Sequence, residues 1–111
     1  MAIEHRLVGR TLVVRLQGEL DLVAAEEFRR EVEKALDQTG ARTLLLNLSQ
    51  VSFIDCSGLG AILGRYRRMS QQQGRVVLAG AGPALRPILE LSGLFRIIAH
   101  YESESQALAA S

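Results

Sequence analysis

Thr43-Leu44-Leu45-Leu46-Asn47-Leu48 is the stretch on which the fold turns. An almost unbroken apolar run of this length is carried by a strand covered on both faces, and such strands belong to parallel sheets flanked by helices. It predicts the central strand. Immediately before it, Asp21 is a good helix N-cap. Ala25, Phe28, Val32, Ala35 and Leu36 then recur at helical spacing until Gly40 supplies a stop. Glu26, Glu27 and Glu31 lie toward the start of that helix and Lys34 toward its end, the order the helix dipole favours. Further upstream, residues 11–17 alternate, with Leu12, Val14 and Leu16 on one face and Val13, Arg15 and Gln17 on the other, which predicts a strand. Residues 3–7 form a weaker strand that Val8-Gly9-Arg10 turns back into an edge hairpin.

Downstream, residues 49–56 read as a connector into a second helix. Leu59, Ile62, Leu63, Tyr66 and Met69 mark its buried stripe, and Arg65, Arg67, Arg68, Gln71 and Gln72 its polar face; Gly74 ends it. Residues 75–79 give another apolar strand. Gly80-Ala81-Gly82-Pro83 is a loop into a short helix with Leu85, Ile88, Leu89 and Leu91. Pro87 lacks an N–H and fits only in a first turn or at a kink, so that helix begins near Leu85, and Gly93 caps its far end. Residues 95–100 read as a last strand. Ser103-Glu104-Ser105-Gln106 has capping-box spacing and opens a final short helix through Leu108. The expected fold is α/β, one domain over residues 1–111 with a mostly parallel, mixed sheet and the element order ββαβαβαβα.

Composition bounds the function. A chain of 111 residues, 48% apolar and 23% charged, suffices for one core and lies far from the signature of disorder. A formal charge of +1 supplies no field for gathering nucleic acid or an anionic membrane. No apolar run approaches the ~20 residues of a membrane span. The first residues lack a secretion signal, so a cytoplasmic protein is expected. A single cysteine, Cys56, forms no internal disulfide and reads as a buried, inert thiol.

The suspect segment is Asp55-Cys56-Ser57-Gly58-Leu59-Gly60, where a strand passes through a loop into a helix, the place where such sheets bind ligands and partners. Gly58, Gly60 and Gly64 all fall in the first turns, although each helical glycine costs about 1 kcal/mol relative to alanine. Room for an approaching partner explains Gly58 and Gly60 better than close packing does; for Gly64 both explanations stand. Ser57 is an N-cap or first-turn residue, and by helix physics alone its simplest role is to cap a backbone N–H. The same position presents a hydroxyl where a phosphate would meet free N–H groups and the positive end of the helix dipole.

Enzyme chemistry fits poorly. Gly58-Leu59-Gly60-Ala61-Ile62-Leu63-Gly64 places the third glycine one residue late for a dinucleotide fingerprint. Asp55 and Leu59 stand where a nucleophile elbow needs glycines. His5 and His100 show no metal-ligand spacing and read as incidental surface residues. No catalytic residue, metal ligand or bound cofactor is expected. A small hydrolase or nucleotide-binding enzyme is the remote alternative.

Taken together, Gly18-Glu19-Leu20-Asp21, Asn47-Leu48, Phe53-Ile54-Asp55-Cys56-Ser57-Gly58-Leu59-Gly60, Gly64-Arg65-Tyr66 and Ser92-Gly93-Leu94-Phe95 resemble the anti-sigma factor antagonist family, the bacterial STAS domains, across almost the whole chain. Ile62-Leu63-Gly64-Arg65-Tyr66 with Ser92-Gly93-Leu94-Phe95-Arg96-Ile97-Ile98 is most similar to the sporulation members. The resemblance implies a non-enzymatic protein that binds an anti-sigma factor and releases the sporulation sigma factor. That anti-sigma factor, also a serine kinase, would hold the Mg-ATP and switch the antagonist off by phosphorylation, and a serine phosphatase would restore it. The family's phosphoacceptor, the second serine of Asp-Ser-Ser-Gly-Leu-Gly, falls on Ser57, and Cys56 replaces the first serine. Asp21 matches the family's loop aspartate and would be a docking carboxylate, completing a partner surface of Asp21, Asp55, Gly58, Leu59 and Gly60. A STAS module of a general stress-response pathway is the related alternative.

Overall fold

The computed structural model describes residues 1–110. Its five strands are β1 (Ala2–Val8), β2 (Thr11–Leu20), β3 (Thr43–Ile54), β4 (Arg75–Ala79) and β5 (Ala99–Tyr101). They lie side by side in chain order, β1 antiparallel to β2 at one edge and every other pair parallel. The helices are α1 (Leu22–Thr39), α2 (Cys56–Gln71), α3 (Arg86–Leu91), the single turn α4 (Leu94–Ile97) and α5 (Glu104–Ala110). The expected mixed, mostly parallel α/β sheet is what the chain forms.

Period-2 alternation in the strands sends successive residues to opposite faces. Leu12, Val14 and Leu16 of β2, Leu44, Leu46 and Leu48 of β3, and Val76 and Leu78 of β4 pack beneath Phe28, Val32 and Leu36 of α1, Ile62 and Met69 of α2, and Leu89 and Leu94 beyond. The intervening Val13, Leu45, Val77 and Ala79 meet Ala107 of α5 on the other face. Val13, on the same face of β2 as Arg15 and Gln17, is therefore buried. Arg15 pins α5 down. Its Nε and Nη2 donate to the two Glu104 oxygens at 3.0 and 2.8 Å, joined by Asn47 Nδ2 at 3.1 Å. The Arg15 guanidinium in particular pulls the Glu104 carboxyl down to about 2.

Several sequence expectations shift. β2 runs on past Gln17 to Leu20, and β3 past Leu48 to Ile54, so most of the expected connector 49–56 is strand. The β2–β3 pairing slips register between Arg15 and Gln17 and again between Gly18 and Glu19. Such bulges break the period-2 pattern by which a strand is read. Leu94 and Ile98, four apart, are both buried because the expected last strand begins as the helical turn α4; the strand itself is only Ala99–Tyr101. The order is thus ββαβαβααβα. Pro87 falls in the first turn of α3 and causes no kink.

Gly74 does end α2, but the left-handed residue is Gln73 (φ 60°). Gly74 is bare because a Cβ there would come within 2.6 Å of the Arg42 carbonyl oxygen. Glu26, Glu27 and Glu31 lie beyond the first turn of α1, outside the range where the helix dipole acts. His100 is half-buried, not incidental: its Nε2 accepts the Ala81 N–H at 3.2 Å, anchoring the loop after β4, and burial lowers its pKa. Cys56 is exposed, contrary to its reading as a buried thiol. No described helix is long and apolar enough to cross a membrane.

Candidate functional site at the paired helix starts

The end of β2 and the end of β3 are in register, Leu20 opposite Ile54, and the Asp55 N–H reaches the Leu20 carbonyl at 3.3 Å. The next residues, Asp21 and Asp55, therefore start α1 and α2 at the same level. Both adopt extended backbone (φ −94°, ψ −169° and φ −101°, ψ −174°), and each Oδ1 accepts the N–H three residues on, from Ala24 and from Gly58, at 3.0 Å. These are two N-caps of one design.

That geometry decides the position of Ser57. Asp55 is the cap, Cys56 the first helical residue and Ser57 the second, so Ser57 is the first-turn residue and not the N-cap. Its Oγ makes no hydrogen bond to any described residue. Asp55 uses the Gly58 N–H through its side chain and the Leu59 N–H through its carbonyl. The N–H groups of Cys56 and Ser57 are the helix-start donors that α2 itself cannot satisfy.

The three glycines separate by what surrounds them. At Gly58 a Cβ would overlap the Leu20 carbonyl oxygen and approach Leu20 Cγ to 2.9 Å and Ile54 Cγ2 to 3.0 Å. Gly58 is buried, and its bareness serves packing of α2 on the strand ends. A Cβ at Gly60 or Gly64 would meet nothing within 4 Å. Close packing thus explains neither of these two, and Gly60 is exposed beside Ser57. Leu59 is half-buried against the core.

Around this point the surface is apolar where solvent would favour polar groups. Leu22 and Val23, directly after the Asp21 cap, are 70% and 77% exposed, and Phe53 at the end of β3 is 47% exposed. Sequence reasoning passed over these three. Leu22 and Val23 fall outside the Ala25, Phe28, Val32 stripe, and that phase was the available signal. Residue type placed Arg65 on the polar face of α2, whereas Arg65 is buried between the helices with Nε 3.3 Å from Glu33 Oε2. Burial lowers its pKa, and Glu33 only partly offsets this. Beside it, Arg68 pairs with Glu33 at 3.1 Å and with Asp37 at 2.7 Å.

An open groove of about 500 Å³ runs between the two helices from Ser57 and Leu22 down to Arg29 and Arg65. No group of three or more His, Cys, Asp or Glu among the described residues could hold a metal ion. His5 and His100 stand on β1 and β5, the two opposite edges of the sheet, and belong to no common site.

A STAS domain family model matches residues 2–107. The chain is 37% identical over 97 residues to the anti-sigma F factor antagonist of Paenibacillus polymyxa, covering 87% of this chain and 83% of the relative. It is 31% identical over 81 residues to the anti-sigma-B factor antagonist of Staphylococcus aureus, covering 73% and 74%. The solved structure of the anti-sigma factor antagonist SpoIIAA in its unphosphorylated form superposes with a TM-score of 0.84 at 35% identity, covering 96% of this chain and 93% of that one. The phosphorylated form of SpoIIAA, the Bacillus cell fate determinant, superposes with a TM-score of 0.77 at 34% identity, covering 98% of both chains.

Proposed function

We propose, from the premise that the chain belongs to the STAS domain family, that it is an anti-sigma factor antagonist of the sporulation type, switched at Ser57. Unmodified, it docks on an anti-sigma factor and frees the sigma factor held there. The docking surface is the paired helix starts: Asp21, Asp55, Leu59, Gly60 and the exposed Leu22 and Val23, with Gly58 setting how deeply α2 sits. The idle hydroxyl of Ser57 carries this reading. Asp55 takes the capping role that would otherwise occupy it, so a first-turn serine beside an exposed glycine has no structural task.

Phosphorylation needs no catalytic group in this chain. The anti-sigma factor, as a serine kinase, supplies the Mg-ATP. The Ser57 oxygen forms a bond to the γ-phosphorus, the bond from that phosphorus to the bridging oxygen breaks, ADP leaves, and the hydroxyl proton passes to the kinase. A serine phosphatase reverses the step by hydrolysis. The phosphate adds about −1.5 to −2 charges between two capping aspartates and against an apolar docking patch, which repels a partner that docked on the neutral surface. The fold need not move, and the similarity of the chain to SpoIIAA in both its forms supports a switch of this kind. A sigma F-type partner is supported over a sigma B-type one by the higher identity and coverage of the sigma F relative.

The test mixes the chain with a purified anti-sigma factor already holding its sigma factor. Native protein is expected to release the sigma factor, and Ser57→Asp to fail to release it while melting at the same temperature. Equal release by Ser57→Asp would overturn the proposal.

A further inference from the structure

β1 closes one side of the sheet, pairing with β2 alone, and its outer edge carries no strand. The two-residue turn Gly9-Arg10 joins Val8 to Thr11 as a hydrogen-bonded pair. Alternation along the antiparallel ladder then turns the N–H and C=O groups of Ala2, Glu4 and Arg6 toward β2. Those of Ile3, His5 and Leu7 point outward, where no described residue meets them. Leu7 and Val8 are exposed apolar side chains on the same strand. α1 stands back from this edge: an open groove of about 470 Å³ lies between His5 and Arg30, Glu31 and Lys34. Unpaired edges of this kind add foreign strands unless charges blunt them, and Glu4 and Arg6 are such charges. Neither forms an ion pair among the described residues; Glu4 faces Arg15 on β2, but that guanidinium is held by Glu104.

The same charges admit one strand, that of a second copy. We propose that β1 is a homodimer edge, pairing antiparallel with β1 of another copy of this chain in the register that sets His5 opposite His5. Glu4 of each copy then lies opposite Arg6 of the other, in non-hydrogen-bonded pairs whose Cα atoms come within about 4.5 Å. Ile3 of each copy opposes Leu7 of the other, Ala2 opposes Val8, and the outward backbone groups of Ile3, His5 and Leu7 exchange their hydrogen bonds. The neighbouring registers fail. Moving the two-fold axis by one residue sets Glu4 opposite Glu4 or Arg6 opposite Arg6, like charges directly opposed. The axis stands perpendicular to the joined sheet, so the two Ser57 sites point to opposite ends of the dimer and both stay open to a partner.

Seven residues on each edge make a small interface, so the dimer is a weak one. Sedimentation equilibrium of the full chain, up to millimolar concentration, measures it, and the native protein is expected to be dimeric at the top of that range. Glu4→Arg and Arg6→Glu each place like charges opposite one another in both cross-pairs and are expected to weaken self-association at least about tenfold. Mixed in equal amounts, the two variants are expected to associate as the native chain does, because each now carries the charges the other lacks. The double variant E4R/R6E is expected to dimerise alone. Glu4 and Arg6 are both exposed, so these variants do not threaten the fold. No step involves Ser57, so the outcome is independent of the functional reading. A native chain that stays monomeric at millimolar concentration, single variants that dimerise as it does, or a mixture of the two that stays monomeric would each overturn the proposal.

Discussion

α1 and α2 begin side by side, and they begin alike for one residue. Asp21 and Asp55 follow paired strands in register, share backbone angles and accept an N–H at the same 3.0 Å. Beyond the caps the two starts diverge. α1 sends Leu22 and Val23 into solvent; at the matching positions α2 has the exposed Cys56 and the half-buried Ser57. The third helical residue is Ala24 on α1 and Gly58 on α2, because only on α2 does the Leu20 carbonyl occupy the place of a methyl group. The aspartates carry the capping, Gly58 carries the packing, and what is left without a task in the fold is an apolar pair on one helix and an unbonded hydroxyl on the other.

The largest expected effect breaks the likeness at the third position. Gly58→Ala forces a methyl into the Leu20 backbone and is expected to lose about 3 kcal/mol in urea unfolding, the upper end of an overpacking cost. Next, Asp21→Ala and Asp55→Ala each remove one cap and are expected to lose about 1 kcal/mol by the same measurement. Losses that differ by more than twofold would show that the two caps are not equivalent. Gly60→Ala acts the other way. Its Cβ meets open space inside a helix, so it is expected to gain about 0.5–1 kcal/mol in stability while weakening anti-sigma factor binding in calorimetry. Smallest of all, Ser57→Ala is expected to move stability by less than about 0.5 kcal/mol, since its hydroxyl bonds nothing in the fold. A loss as large as that of Asp55→Ala would return Ser57 to a capping role.

The sequence carried much of this arrangement. The apolar run of β3 announced a doubly covered strand, and Asp21 was legible as a cap because its side chain acts within one turn. What stayed hidden depended on contacts distant in the chain. The ends of β2 and β3 lie beyond bulges that exist only when the two strands pair, so the alternation that defines a strand gave out at Gln17 and Leu48. Arg65 was placed outside by residue type, and only the approach of Glu33 from α1 shows why it is inside. α4 was mistaken for strand because Leu94-Phe95-Arg96-Ile97-Ile98 is too short for periodicity to separate one turn of helix from a strand. At the candidate site, Ser57 was singled out by its address, but that Asp55 and not Ser57 is the cap needed the register of the sheet.

The most direct measurement of the central claim incubates the native chain with its purified anti-sigma kinase and Mg-ATP and maps the product by tandem mass spectrometry. One phosphate on Ser57, and none on Ser57→Ala, is the result this account predicts. Full labelling of Ser57→Ala, or phosphate on any other residue of the native chain in place of Ser57, would contradict it.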